Sequence, residues 1–149
     1  MRCELSKLYV HVVFSTRLRE PCLQMEWLRE LHQGMARILE QMGCPSIRTG
    51  GVSDHVHSLF ILSREMSLVE AIRRLKQRSA GLIRKRYGMT HFQWQEGYGA
   101  FSVSASKVRE VSEYIFRQEE HHRQRTFQEE MRLFFRRYRV DFEEEEVWK

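Results

Sequence analysis

The sequence predicts an α+β fold: a four- or five-stranded antiparallel sheet with helices packed on one face, followed by a tyrosine-bearing helix and a C-terminal helix. Three observations carry this. Strand and helix periodicities follow one another as strand, helix, strand, strand, helix, strand, the order of a ferredoxin-like or RRM-like domain. At 149 residues the chain is long enough for one hydrophobic core, so a single domain is expected over residues 1–149. Hydrophobic residues make up 42% and charged residues 30%, the balance of a folded chain rather than a disordered one.

Residues 5–15 form the first expected strand, rich in β-branched and aromatic side chains, with Leu8, Val10, Val12 and Phe14 on one face and Tyr9, His11 and Val13 on the other. The charged stretch Thr16–Pro21 breaks it. From Gln24 to Met42 the apolar residues Trp27, Leu28, Leu31, Met35, Ile38, Leu39 and Met42 recur at helical spacing, and Gly43 ends the helix. Ser46–Thr49 is a short strand leading through Gly50-Gly51 to the apolar strand His55–Leu62. Ser67, with Glu70 three residues later, reads as a capping box opening a helix that Gly88 closes. The segment His91–Val103 holds one further short strand and a loop, with Phe92, Trp94 and Phe101 mostly in the core. A helix is expected from Lys107 through His122 on the stripe Val108, Val111 and Ile115, and another from Phe127 to Tyr138.

The net charge of +5 is unevenly placed. Residues 72–86 hold Arg73, Arg74, Lys76, Arg78, Arg84, Lys85 and Arg86 with no acid among them, which favours a polyanionic partner. No apolar run is long enough to span a bilayer, and the first residues lack a signal-peptide pattern. Cys3, Cys22 and Cys44 match neither a disulfide framework nor a zinc pattern. A cytoplasmic protein without membrane partners is expected.

His55-Val56-His57 carries the chemistry. Alternate residues of a strand share a face, so both imidazoles point the same way. Such a pair is half of a metal site, or simply two strand histidines with satisfied polar atoms; by itself it does not decide. On the later helix, Gln118 lies one turn from Tyr114, where its amide oxygen suits a hard cation such as Mg²⁺. Two histidines and one oxygen donor leave positions open for a phosphate, which suits phosphoryl transfer better than a closed structural zinc site. A histidine-triad hydrolase would need a third alternating histidine, where Ser58-Leu59 stands, and a zinc protease a His-Glu-x-x-His helix. Asp54 caps a turn or orients a ligand histidine, His11 is read as structural, and His121-His122 as surface polar.

Asp54-His55-Val56-His57, residues 94–104 (Trp-Gln-Glu-Gly-Tyr-Gly-Ala-Phe-Ser-Val-Ser) and residues 114–122 (Tyr-Ile-Phe-Arg-Gln-Glu-Glu-His-His) together resemble the single-tyrosine transposases of the insertion-sequence 200/605 family, which are HUH endonucleases. The resemblance covers nearly the whole chain. It implies that Tyr114 is the nucleophile on single-stranded DNA, leaving a 5′-phosphotyrosine link and a free 3′-OH. It implies Mg²⁺ or Mn²⁺ held by His55, His57 and Gln118, and no nucleotide cofactor. It further implies recognition of hairpins at the element's ends, with the cations of residues 73–86 as phosphate contacts. A homodimer is implied too, in which the tyrosine helix of one subunit can complete the site of the other, the resemblance leaving cis or trans placement of Tyr114 open. Two rivals stand beside it: a catalytically silent nucleic-acid-binding domain derived from a transposase, and a phosphoesterase that forms no covalent intermediate.

Overall fold

The computed structural model describes residues 2–149. Four strands, β1 (Tyr9–Ser15), β2 (Ser46–Gly51), β3 (His55–Ile61) and β4 (Gly99–Val103), form an antiparallel sheet in the order β2-β3-β1-β4. Helix α1 (Met25–Gln41) connects β1 to β2, and α2 (Leu68–Arg86) connects β3 to β4. That is the expected strand and helix order. α3 (Val108–Phe116), α4 (Gln118–His121), α5 (Phe127–Arg137) and α6 (Glu144–Val147) follow.

Strand alternation sorts the sheet into two faces. Val10, Val12 and Phe14 of β1, with Val56 and Phe60 of β3, pack against Leu31, Met35 and Leu39 of α1 and Ile72, Leu75 and Ile83 of α2. Phe14 and Phe60 are fully buried there and each stabilises the fold by roughly 1.5–3 kcal/mol. Val13 and Phe101 on the other face meet Phe127, Met131 and Phe135 of α5, while Leu59 and Val103 meet Ile115 of α3. α1 and α2 thus occupy one face, and the tyrosine helix lies across the other. Leu8 precedes β1 and is exposed, so it is not part of the apolar stripe the sequence suggests. Phe92, Trp94 and Phe101 are all buried.

Local signals explain the ends of the helices. Ser67 Oγ accepts from the Glu70 amide at 3.2 Å, but the Glu70 carboxylate turns to Arg73 and Arg74, so only half of the expected capping box forms. Gly43 and Gly88 take left-handed conformations (φ +74° and +70°) just beyond α1 and α2. The helix expected over residues 107–122 is instead two: Arg117 leaves helical geometry (φ −94°, ψ 19°) between α3 and α4. Neither Gly nor Pro marks this break. It accompanies the burial of the Gln118 side chain, while Phe116 stays exposed.

The glycine pair holds α3 against the sheet. A Cβ on Gly50 would stand 2.7 Å from the Ile115 carbonyl oxygen and 2.8 Å from its Cγ2. Gly51 (φ +153°) lies where a Cβ would meet the His55 carbonyl oxygen at 2.3 Å. Gly50→Ala is therefore expected to push the end of α3 off β2 and to cost about 1–3 kcal/mol in urea unfolding. An unchanged midpoint would show that α3 is not seated by this contact.

Candidate active site

β3 presents His55 and His57 to the face covered by α3 and α5. The register places Ser15 opposite His55 and Val13 opposite His57, so His11 is the diagonal neighbour of His57 on that face. His11 Nε2 lies 2.9 Å from His57 Nδ1, and Asp54 Oδ1 lies 2.6 Å from His55 Nδ1. With both Nδ1 atoms engaged, both Nε2 atoms aim into the space under α5. Glu130 of α5 meets them there: its Oε2 is 3.4 Å from His55 Nε2 and its Oε1 is 3.2 Å from His57 Nε2. His122 Nε2 reaches Glu130 Oε2 at 2.5 Å, and the Tyr114 hydroxyl donates to Glu130 Oε1. Gln118 Oε1 lies 3.3 Å from His55 Nε2, and its amide donates to Glu130 Oε1 at 3.2 Å. Tyr114, His55, His57 and Gln118 are thus brought together within a single chain.

The burial of this cluster sets its charges. Burial lowers the His55 pKa, but hydrogen bonds to Asp54 and Glu130 outweigh it and raise it to about 9, so His55 is the cation at neutral pH. Burial holds His57 below its ordinary value despite the attraction of Glu130, and His11 well below its own, so both stay neutral. Burial opposes ionisation of Glu130 as well, yet the surrounding imidazoles hold its carboxyl far below the usual range. Burial, then the adjacent Glu130 charge, pushes the Tyr114 phenol up and keeps it protonated.

The raised His55 value makes chelated protein lose stability as pH rises. Below 6.5 both states carry the proton; above that only the folded state retains it, until about pH 9. Lys76 opposes this above pH 8: burial lowers its ammonium to about 8, so the unfolded chain there binds the extra proton. The lowered His11, His32 and His57 act in the opposite sense, chiefly below pH 7, where the unfolded chain still binds their protons. Between about pH 7 and 8, unfolding free energy in EDTA is expected to fall by less than about 1.4 kcal/mol per unit, and loss of that fall in His55→Gln would assign the slope.

The sequence misreads or misses two residues of this cluster, His122 and Glu130. His122, expected as surface polar, is half-buried on Glu130; Asp54 takes the orienting role on His55, and His11, read as structural, braces His57. Glu130 had a legible signal. On α5 the buried positions Phe127, Glu130 and Met131, with half-buried Phe134, share one face, and a carboxylate amid such a stripe requires a partner.

The basic residues of α2 lie on the face of the sheet away from this cluster. Arg73 and Arg74 pair with Glu70, Arg86 pairs with Glu30, and Arg84 donates to the Phe92 carbonyl at 2.9 Å. The Lys76 ammonium is engaged inside the fold, donating to the carbonyls of Gln95, Glu96 and Gly97 at 2.7–2.9 Å. Arg78 and Lys85 are exposed and make no ion pair among the described residues.

The donor set fits a divalent cation. One ligand atom each from His55, His57, His122 and Glu130 lies within 4.8 Å of the others, and His57 Nε2 is buried without a well-formed hydrogen bond. Among the described residues no helix is long and apolar enough to cross a membrane.

No curated protein matches the chain. A candidate transposase from Deinococcus radiodurans R1 is similar in structure, with a TM-score of 0.64 and 22% identity over 79% of this chain and 95% of that one. A REP-associated tyrosine transposase bound to a REP hairpin is similar with a TM-score of 0.59 and 14% identity, over 82% of this chain and 72% of that one. These likenesses establish the shared α+β fold. The family described as "Transposase IS200 like" matches residues 4–118, a span that takes in the His pair, Tyr114 and Gln118, and the chain belongs to that family.

Proposed function

We propose that this transposase cleaves and rejoins single-stranded DNA with Tyr114 as nucleophile, passing through a 5′-phosphotyrosine link. The observation that carries the reading is the Tyr114 hydroxyl bonded to a carboxylate that also touches three histidines. Glu130 is placed to take the phenol proton as Tyr114 Oη bonds to phosphorus. The P–O3′ bond breaks and the departing 3′ oxygen takes up one proton, so no net proton is consumed. Rejoining is the reverse attack by another 3′-OH, which conserves the bond energy without a nucleotide cofactor.

His55, His57, His122 and Glu130, with the Gln118 amide oxygen beside them, would hold the metal. A bound Mg²⁺ or Mn²⁺ supplies polarisation of the scissile phosphate and neutralises its developing charge. Three imidazoles favour Mn²⁺ over Mg²⁺, which prefers oxygen donors. The hairpin bound by the second structural neighbour supports a hairpin-bearing strand as partner. Arg73, Arg78, Arg84, Lys85 and Arg86 are the exposed cations of α2 available to its phosphates.

Labelled single strands from the DNA flanking the gene, incubated with and without Mn²⁺ and run on a denaturing gel, test the reading. A metal-dependent protein–DNA adduct is expected. Tight binding without an adduct would favour the silent module, and cleavage without an adduct a phosphoesterase. The burial of His55, His57 and Glu130 is the one feature that favours a silent module.

The cluster is complete within one chain, so a homodimer would pair two sites rather than complete one. Mixing Tyr114→Phe with His57→Ala protein is therefore expected to yield no adduct. Recovery of adduct toward a quarter of wild type, the ceiling for random mixing of two subunits, would mean that the tyrosine acts on the partner's histidines.

A further inference from the structure

A cavity of about 550 Å³ opens beside Tyr114, between α3, α5 and the end of β4. That volume lies in the range of small-ligand sites. Tyr114, Glu130 and His11 line its inner end, so its contents sit against the hydroxyl that would attack. One wall is aromatic: Phe134 and Tyr138 stack on Phe101, with centroids 5.2 Å and 4.7 Å away, and both remain partly exposed. Arg125 and Arg137 stand at the mouth, exposed and without an ion pair among the described residues. Lys107 also lines it but is engaged by Glu110 at 3.0 Å. Aromatic rings with partly free faces beside unpaired guanidinium groups match a base and its phosphate in chemistry and charge.

We infer that this cavity is a nucleotide subsite, taking one nucleotide of single-stranded DNA adjacent to the bond at Tyr114. Its base would lie against the Phe134–Tyr138 wall and its phosphate against Arg137 and Arg125. The inference rests on Tyr114 being the attacking group for its place on the strand, but not for its existence. Such a subsite gives register: seating one base fixes which phosphate lies at the hydroxyl. Arg125 also lines a second, polar cavity with Asp54, His122 and Thr126, so the strand has a continuation past the cluster.

The experiment uses flanking single strands carrying 2-aminopurine at successive positions, read by fluorescence quenching on binding and by adduct yield. Quenching concentrated at one position is expected. Tyr138→Leu should abolish it and weaken binding by roughly ten-fold, while Tyr138→Trp, which keeps a stacking face, should retain both. Arg137→Gln should weaken binding several-fold and lower the salt slope by about one phosphate. Thermal unfolding of each variant without DNA separates misfolding from loss of the subsite, and Tyr138→Trp supplies the folded test if Tyr138→Leu unfolds. Quenching spread evenly along the strand, or unchanged in Tyr138→Leu and Arg137→Gln, would overturn the subsite. An adduct with no such coupling would remove the subsite and leave Tyr114 as nucleophile. Coupling without an adduct would keep the subsite and remove the nucleophile.

Discussion

Tyr114→Phe is expected to lower adduct formation by about 10⁴-fold or more while changing single-strand affinity less than about three-fold. The substitution removes one oxygen and little else. The ring keeps its stacking on His121 at 4.6 Å and its edge contact with Phe134 at 5.7 Å. The lost bond to Glu130 costs roughly 1.5–3 kcal/mol, which leaves a folded protein to assay. The phenol is not a reactive group by composition, since burial and the neighbouring carboxylate keep it protonated. Its reactivity has to come from the placement of an acceptor on its proton. An adduct that persists in Tyr114→Phe would point to another nucleophile, and loss of DNA binding would make Tyr114 a structural residue.

How far the sequence reaches can be followed along β3. His55 and His57 were legible because strand periodicity alone puts two residues two apart on one face. Tyr114 and Gln118 were legible as neighbours from helical spacing, although the chain leaves helical geometry at Arg117 between them. What stayed hidden depends on tertiary register. That His11 braces His57 follows from β1 pairing with β3 at Val13↔His57, a pairing no local pattern encodes. Glu130 and His122 join the cluster only because α5 folds back over the sheet after the turn at residues 122–126, and both lie beyond the span of the family match. The basic segment is only partly legible for a related reason. Charge counted along a sequence does not reveal that Lys76 is already spent on three carbonyls, or that α2 lies on the sheet's other face.

Glu130→Ala is expected to have the second large effect, in two measurements that move separately. In chelated protein it removes the acceptor for Tyr114, His122 and Gln118 and the counter-charge of His55. Breaking a buried pair from one side costs about 3–5 kcal/mol. Part of that is recovered because His55, without Glu130, sheds its proton nearer its ordinary pKa. A net loss of about 2–3 kcal/mol in urea unfolding is expected near pH 6.5, shrinking as pH rises toward 9 and the His55 contribution is lost. In the second measurement, Mn²⁺ added to wild type should raise the unfolding temperature through binding to the folded state alone, and Glu130→Ala should lose most of that rise. Glu130→Gln separates the roles: it keeps the shape and a hydrogen-bonding oxygen but removes the charge. It should recover part of the stability while binding Mn²⁺ at least about ten-fold more weakly than wild type. If Glu130→Ala loses stability yet keeps the full Mn²⁺ response, the carboxylate is a brace for the histidines and Tyr114, and the metal is held by imidazoles and Gln118 without it.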